Sequence, residues 1–244
     1  MPKFHEFESF LVKPQRDSGS IISHAFENYK YIIGYVLVVN LFITLVFYVL
    51  FFITGSWTKV MSFNESSGDS YEFFQEIYAS QSLVLWQVCS ILFIALASPF
   101  IGGIIYLMHK KNSGQELDLS DLFIGYKKNT LNIMLFSLVY TLVAVVTSNM
   151  CLVPAIFIMP FLFLGYPILI FEEKGVIEAI KESFAIVKAN YLNFLILNFV
   201  AIVISLTGLF FCCIGIVVTA LFYYATMYSA YLSYRVEEVD HFKK

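Results

Sequence analysis

The amino-acid sequence predicts an all-α membrane protein of six transmembrane helices, built as three parallel hairpin repeats, each preceded by a cytoplasmic interfacial amphipathic helix. Three observations lead there. The 244 residues are 59% hydrophobic and only 14% charged, against about 25% charged in an average soluble domain. The charges are gathered into short connectors between long apolar blocks, whereas a soluble helix needs a polar face along its length. A short amphipathic segment ending in a hydrophobic-Lys signature recurs before alternate apolar blocks.

Residues 1–30 carry no apolar core of a cleavable signal peptide before Tyr31, so they are expected to form a cytoplasmic lead-in that includes the first amphipathic helix. The membrane domain is expected over 31–234. A span needs about 20 apolar residues to cross about 30 Å of hydrocarbon. Six stretches qualify: 31–54, 82–108, 130–150, 152–171, 192–211 and 213–234, none of them containing Asp, Glu, Lys, Arg or His. The third and fourth meet at Asn149-Met150-Cys151 and the fifth and sixth at Cys212-Cys213, so each pair reads as a tight hairpin. Residues 235–244 form a tail. Fourteen of the fifteen Lys and Arg residues fall before the first span, in the second and fourth connectors or after the sixth, and only Lys59 lies on the other side. The positive-inside rule therefore places both termini in the cytoplasm. High Phe (26) and Tyr (16) with two Trp fits a low-GC bacterial coding bias, hence a bacterial cytoplasmic (inner) membrane.

The segments SIISHAFENYK, LDLSDLFIGYK and VIEAIKESFAIVK align without gaps at offsets of 97 and 61 residues. Phe26, Phe123 and Phe184 coincide, as do Lys30, Lys127 and Lys188; Tyr29 and Tyr126 meet Val187. Apolar positions at i, i+4 and i+7 share one helical face, and the segments read as a collar on the membrane surface. Carried into the spans, the register equates Asn40, Ser137 and Asn198, and Thr44, Thr141 and Ile202. Ten residues past the Lys is about 15 Å of helix, near the bilayer centre. Polar groups there need partners that lipid does not offer. They read either as interhelical hydrogen bonds or as a polar site on the bundle axis.

Groups that carry chemistry are scarce. His5, His24, His109 and His241 all lie outside the spans and are expected to be solvated; none has metal-ligand spacing. No ionisable pair lies at membrane depth, and no phosphate-binding loop is present. An enzyme, a cofactor, a metal and a nucleic-acid partner are therefore not expected. Of Cys89, Cys151, Cys212 and Cys213, the last three sit at outer hairpin tips, where Cys151 could bridge one of the pair. Pro99, Pro154, Pro160 and Pro167 lie in the second and fourth spans, where each frees a carbonyl and kinks its helix. Tyr224, Tyr228 and Tyr231 form a stripe with Arg235, readable as helix packing, as a cavity wall or as a lipid-headgroup contact.

The stretch 154–188 adds a resemblance. Gly165, Pro167, Glu172, Glu173 and Gly175, followed by Ala179-Ile180-Lys181-Glu182-Ser183-Phe184 and Lys188, resemble the membrane-domain family first noted in glycerophosphodiester phosphodiesterases and its stand-alone six-span bacterial relatives. The resemblance implies an integral membrane module. The separate catalytic barrel of the fused relatives has no room in this chain. Three functions stay open: a scaffold or accessory subunit associating with another integral membrane protein or with membrane lipid; a permease-like module for a neutral or lipidic solute; and a lipid-binding module whose collar uses Lys30, Lys127, Lys128, Lys188 and Arg235.

Overall fold

The computed structural model describes residues 11–63, 80–149, 152–208 and 214–235. Among the described residues every regular element is helical. Helix α1 (Ser18–Ile53) is followed by the short α2 (Ser56–Phe63) and by α3 (Gln81–Asn112). A 3₁₀ segment, Leu119–Tyr126, leads into α4 (Thr130–Asn149). The next apolar block is divided into α5 (Leu152–Ile158), a 3₁₀ turn (Met159–Leu162) and α6 (Gly165–Phe171). Then come α7 (Val176–Ala189), α8 (Tyr191–Thr207), α9 (Ile214–Thr219) and α10 (Phe222–Tyr234). Four stretches are long and apolar enough to cross a membrane: Ser18–Ile53, Gln81–Asn112, Thr130–Asn149 and Val153–Phe171. The pair α7 and α8, bent by 106°, makes a fifth if taken as one span. This is the build of a multi-pass membrane protein. The first helix packs against both α3 and α10, so the beginning and the end of the chain lie side by side.

The three amphipathic segments differ in form. The first does not end before the span: Asp17 caps α1 by accepting from the Ser20 amide, and the helix then runs unbroken for 36 residues, about 54 Å. The other two end before the span, with an asparagine at the junction. Asn129 takes a positive φ of 50°, a conformation Asn tolerates better than most residues. Its side chain is anchored by donating to the carbonyls of Leu169 (2.9 Å) and Lys174 (2.8 Å). Asn190 ends α7 with φ −129° and ψ 32°, its side chain donating to the Ile186 carbonyl. In register the first unit has Ile32 at this position, which has no polar group to turn back on the backbone, and the helix continues.

The second segment is pressed directly onto α3. A Cβ on Gly103 would lie 2.1 Å from the Leu122 carbonyl oxygen, and one on Gly125 would lie 2.1 Å from that of Pro99. Glycine at both positions lets the backbones touch, and Lys110 pins the segment through Asp121 at 2.7 Å.

The most regular feature of the structure lies where the segments meet the spans. Phe100, Phe161 and Phe222 are spaced 61 residues apart. Each packs on the phenylalanine of one amphipathic segment: Phe100 on Phe123 (centroids 5.3 Å), Phe161 on Phe184 (4.8 Å) and Phe222 on Phe26 (4.5 Å). A tyrosine hydroxyl then donates to the carbonyl four residues before each of these rings. Tyr126 reaches Leu96 (2.7 Å), Tyr191 reaches Phe157 (3.1 Å) and Tyr29 reaches Val218 (2.5 Å). In the third case Tyr191, one turn beyond Val187, does what Tyr29 and Tyr126 do elsewhere.

Just before each of these rings the helical hydrogen-bond ladder is broken. Pro99 and Pro160 lack the N–H that would bond the carbonyls of Ala95 and Ile156. The matching Leu221 sits in the gap between α9 and α10, leaving the Val217 carbonyl near a helix end without a continuing turn. Asn198 Nδ2 donates to the Ile156 carbonyl at 3.2 Å, and Asn40 Nδ2 donates to that of Val217 at 2.6 Å. In the remaining copy Ser98 donates to the Ala95 carbonyl from within the same helix, at 2.8 Å. Ser137, which is too short to match Asn40 and Asn198 in reach, makes no well-formed hydrogen bond.

These assignments predict unequal costs at three positions that look equivalent in sequence. Asn198→Ala and Asn40→Ala each strand a buried carbonyl, and each is expected to lower unfolding free energy by about 1–3 kcal/mol. Ser137→Ala removes only an unsatisfied hydroxyl and is expected to stay within about 0.5 kcal/mol. Thermal unfolding of the three variants in one detergent tests the ranking; equal losses at all three would overturn it.

Candidate functional site

Two polar regions stand out among the described residues. They lie at opposite ends of the helices.

The first is an ion cluster at the end of α6. Arg235 donates to Glu172 through Nε and an Nη, both at 2.8 Å, and to Glu182 at 2.7 Å. Lys174 lies 2.7 Å from Glu172 and 2.6 Å from Glu182, and the Tyr231 hydroxyl donates to Glu172 at 3.2 Å. Two cations thus face two carboxylates, and the cluster ties the end of α6, the following turn, α7 and the end of α10 together. Burial alone would raise the Glu172 pKa, but the hydrogen bonds and charges of Arg235 and Lys174 outweigh it and hold the carboxyl below its ordinary value. Beside the cluster a cavity of about 240 Å³ is lined by Arg16, Asn190 and Tyr234 among others, with the Arg16 guanidinium 5.6 Å from the centre of the Tyr234 ring.

The second region is a cleft of about 420 Å³ between α3 and α4, backed by α6 and α10. Gln87 comes from α3; Ser137, Tyr140, Thr141 and Ser148 from α4; Tyr166 and Tyr224 close the back. Among the described residues lining it, none carries a formal charge. The rings of Tyr140 and Tyr166 lie 6.1 Å apart, and those of Tyr166 and Tyr224 lie 5.7 Å apart in an edge-on arrangement. An adjoining cavity of about 290 Å³ shares Tyr140 and Tyr224 and runs outward past Met159, Ile202 and Leu206.

The candidate polar axis is divided between these settings. Asn40 and Asn198 are buried and committed to backbone carbonyls, and Asn198 Oδ1 also accepts from the Tyr223 hydroxyl at 2.6 Å. Ser137 and Thr141 open on the cleft instead, and Thr44 is half-buried on α1. No hydrogen bond joins Asn40, Ser137 and Asn198 to one another. The tyrosine stripe is divided too. Tyr224 is a cavity wall, Tyr228 is fully buried beside His109 and Phe171, and Tyr231 stacks on Phe171 at 5.4 Å. Arg235 belongs to the ion cluster. The collar positions are alike: Phe26, Phe123 and Phe184 are 48%, 49% and 46% exposed, and Lys30, Lys127 and Lys188 are exposed beside them.

Both described histidines depart from the solvated state their sequence positions suggest: the His109 ring lies 4.9 Å from that of Phe171, with Nδ1 3.4 Å from the Tyr228 hydroxyl, and His24 departs further. His24 is 7% exposed, with Nδ1 2.9 Å from the Ser229 hydroxyl and with Asn28 against its ring. The cause is the length of α1, which carries the amphipathic segment against α10 instead of laying it apart. Among the described residues no three metal-ligating side chains come together. Cys89 is a free thiol, whereas Cys151, Cys212 and Cys213 lie outside the described residues, as do His5 and His241. Sequence reasoning passed over Gln87, Tyr140 and Tyr166 because uncharged residues scattered over three elements share no spacing. It also passed over the cluster partners of Arg235, although Glu172 and Lys174 share the turn that leads to α7, which carries Glu182.

Comparison with known proteins returned no matching family model, no matching curated protein and no matching solved structure.

The depressed Glu172 pKa carries a sign. Its contribution to stability is fully present above the unfolded value of 4.5 and is lost as pH falls through the lower folded value. Glu172→Gln is expected to cost about 1–3 kcal/mol at neutral pH, since hydrogen bonds to charged groups are the stronger kind. It is also expected to flatten the acid limb of a Tm-against-pH profile. A variant that melts like the parent at every pH would show that the cluster contributes nothing.

Proposed function

We propose that the chain is a six-span module of three parallel hairpins in a bacterial cytoplasmic membrane, both termini inside, acting without chemistry of its own. In this reading it is a scaffold or accessory subunit for another integral membrane protein. The observation that carries it is the dry commitment of the span asparagines: Asn40 and Asn198 are spent on the carbonyls of Val217 and Ile156. A conduit along the bundle axis would need those amides turned to water. The recurrence of the Phe–Phe contact and the Tyr-to-carbonyl bond at 61-residue intervals supports three equivalent hairpins, and packing pieces that recur in this way build a rigid frame. The resemblance of 154–188 to the phosphodiesterase-associated membrane domains points to the same kind of module.

Binding of anionic lipid by the collar is a second reading with an observation of its own. Three half-exposed phenylalanines, each beside an exposed lysine, make an amphipathic rim suited to a headgroup region. Arg235 takes no part in that rim, being held by Glu172 and Glu182.

Two measurements test the proposal. Cysteines introduced by Lys127→Cys and Lys188→Cys in a background lacking the native four are expected to resist an impermeant maleimide until cells are permeabilised; labelling of intact cells would overturn the orientation. Purification from native membranes in mild detergent, with quantitative mass spectrometry, is expected to return a protein partner in stoichiometric amount. A chain that purifies with lipid alone would overturn the accessory-subunit reading.

A further inference from the structure

The cleft between α3 and α4 is where the regular pattern fails. Elsewhere an asparagine from the first helix of a hairpin crosses to the freed carbonyl at a helix break. Here the residue in register is Ser137, and Ser98 serves the Ala95 carbonyl from the same helix. Ser137 is left over: 1% exposed, lining the cleft, with no well-formed hydrogen bond and with the Tyr166 hydroxyl near it. A buried hydroxyl that makes no well-formed hydrogen bond keeps donor and acceptor capacity unspent, so the site can take a polar group.

We propose that this cleft binds the head of an uncharged, hydroxyl-bearing lipid, with its hydrocarbon tail in the adjoining cavity. The lining chooses among ligand classes. Gln87, Ser137, Thr141 and the tyrosines offer both donors and acceptors, as a hydroxylated head requires. With no charge among the described residues that line the cleft, a phosphate or ammonium would find no charged partner there, a cost an uncharged head does not incur. The faces of Tyr140, Tyr166 and Tyr224 suit the flat C–H surfaces of a glycerol or sugar unit. The neighbouring cavity is walled by Met159, Ile202 and Leu206, with one buried hydroxyl, Ser205, that lacks a partner. It leads to the 48% exposed Leu206 on the flank of α8. A polar pocket joined sideways to an apolar passage fits an amphiphile arriving from the membrane. At about 420 Å³, the polar part falls in the ordinary range for ligand sites, about 300–1,000 Å³. The inference is independent of the accessory-subunit reading, because occupancy is measured on the purified chain alone.

The test uses the full chain in nanodiscs of phosphatidylethanolamine and phosphatidylglycerol, doped with dioleoylglycerol or its monoglucosyl derivative. After transfer to lipid-free detergent, native mass spectrometry is expected to show about one neutral lipid retained per chain. Thr141→Leu, within the cleft, and Ser148→Trp, at its exposed mouth, are each expected to cut that retention about tenfold. The Ser148 position is on the surface, so its variant keeps the test valid should Thr141→Leu unfold; a matching melting curve confirms the fold. Equal retention of the phospholipids would overturn the selection for uncharged heads. Retention unaffected by both variants, or no retention at all, would overturn the site.

Discussion

A carbonyl without a donor is the constraint on which the rest of this structure depends. Lipid provides no hydrogen-bond donor, so every interruption of a helix within the hydrocarbon must be made good by the protein itself. This chain breaks the ladder at Pro99 within α3, at Pro160 and at the gap before Phe222, and a tyrosine responds at each place. A tyrosine in an amphipathic segment, or in the third case just beyond it, takes one carbonyl, and in two of three cases an asparagine from a neighbouring span takes the one before it. Asn40 and Asn198 are thereby accounted for by the backbone before any ligand is considered.

The interruptions in turn set the geometry of the surface. Because the helical hydrogen-bond ladder is broken just before each of Phe100, Phe161 and Phe222, these rings project where an amphipathic segment can pack its own phenylalanine on them. The segments are held by aromatic contact and by a tyrosine bond, which leaves Phe26, Phe123 and Phe184 about half exposed and their lysines free to reach the rim. The ion cluster closes the same end of the molecule. Without the carboxylates of Glu172 and Glu182, Arg235 and Lys174 would repel each other across one short turn. With them, the end of α10 is fastened to α6 and α7.

The helical class, the apolar blocks and the phenylalanine–lysine signature of the segments are legible in the sequence because each is periodic or local. The continuation of α1 past Lys30 is not, since it goes with a difference of one residue at the junction: Asn129 takes a positive φ between segment and span and Asn190 ends its helix, whereas Ile32 continues the helix. The equivalence of Asn40 and Asn198 can be read from register, but not their partners, because the accepting groups are main-chain carbonyls that carry no side-chain signal. A clue was present in the prolines. Pro99-Phe100, Pro160-Phe161 and Leu221-Phe222 recur every 61 residues, and counting four back from each break names the carbonyls that must be served. The cleft is the least legible part, since Gln87, Tyr140, Tyr166 and Tyr224 come together only through packing.

Near-symmetry also explains why a cleft should form at one place among three similar ones. Where Asn40 and Asn198 cross to the facing helix, their amides fill the space between helices and bind it shut. The serine in register fills less volume and forms no bridge, and the proline it faces is served from its own helix by Ser98. The junction of α3 with α4 therefore lacks the asparagine strut found at the other two junctions, and its cleft is lined by what remains, tyrosines and small hydroxyls. Stability alone would favour an asparagine at position 137, with its carbonyl partner already in register. Holding a serine there forgoes that bond and leaves a hydroxyl unsatisfied, a departure from local consistency of the kind expected where a sequence answers to something other than its own folding.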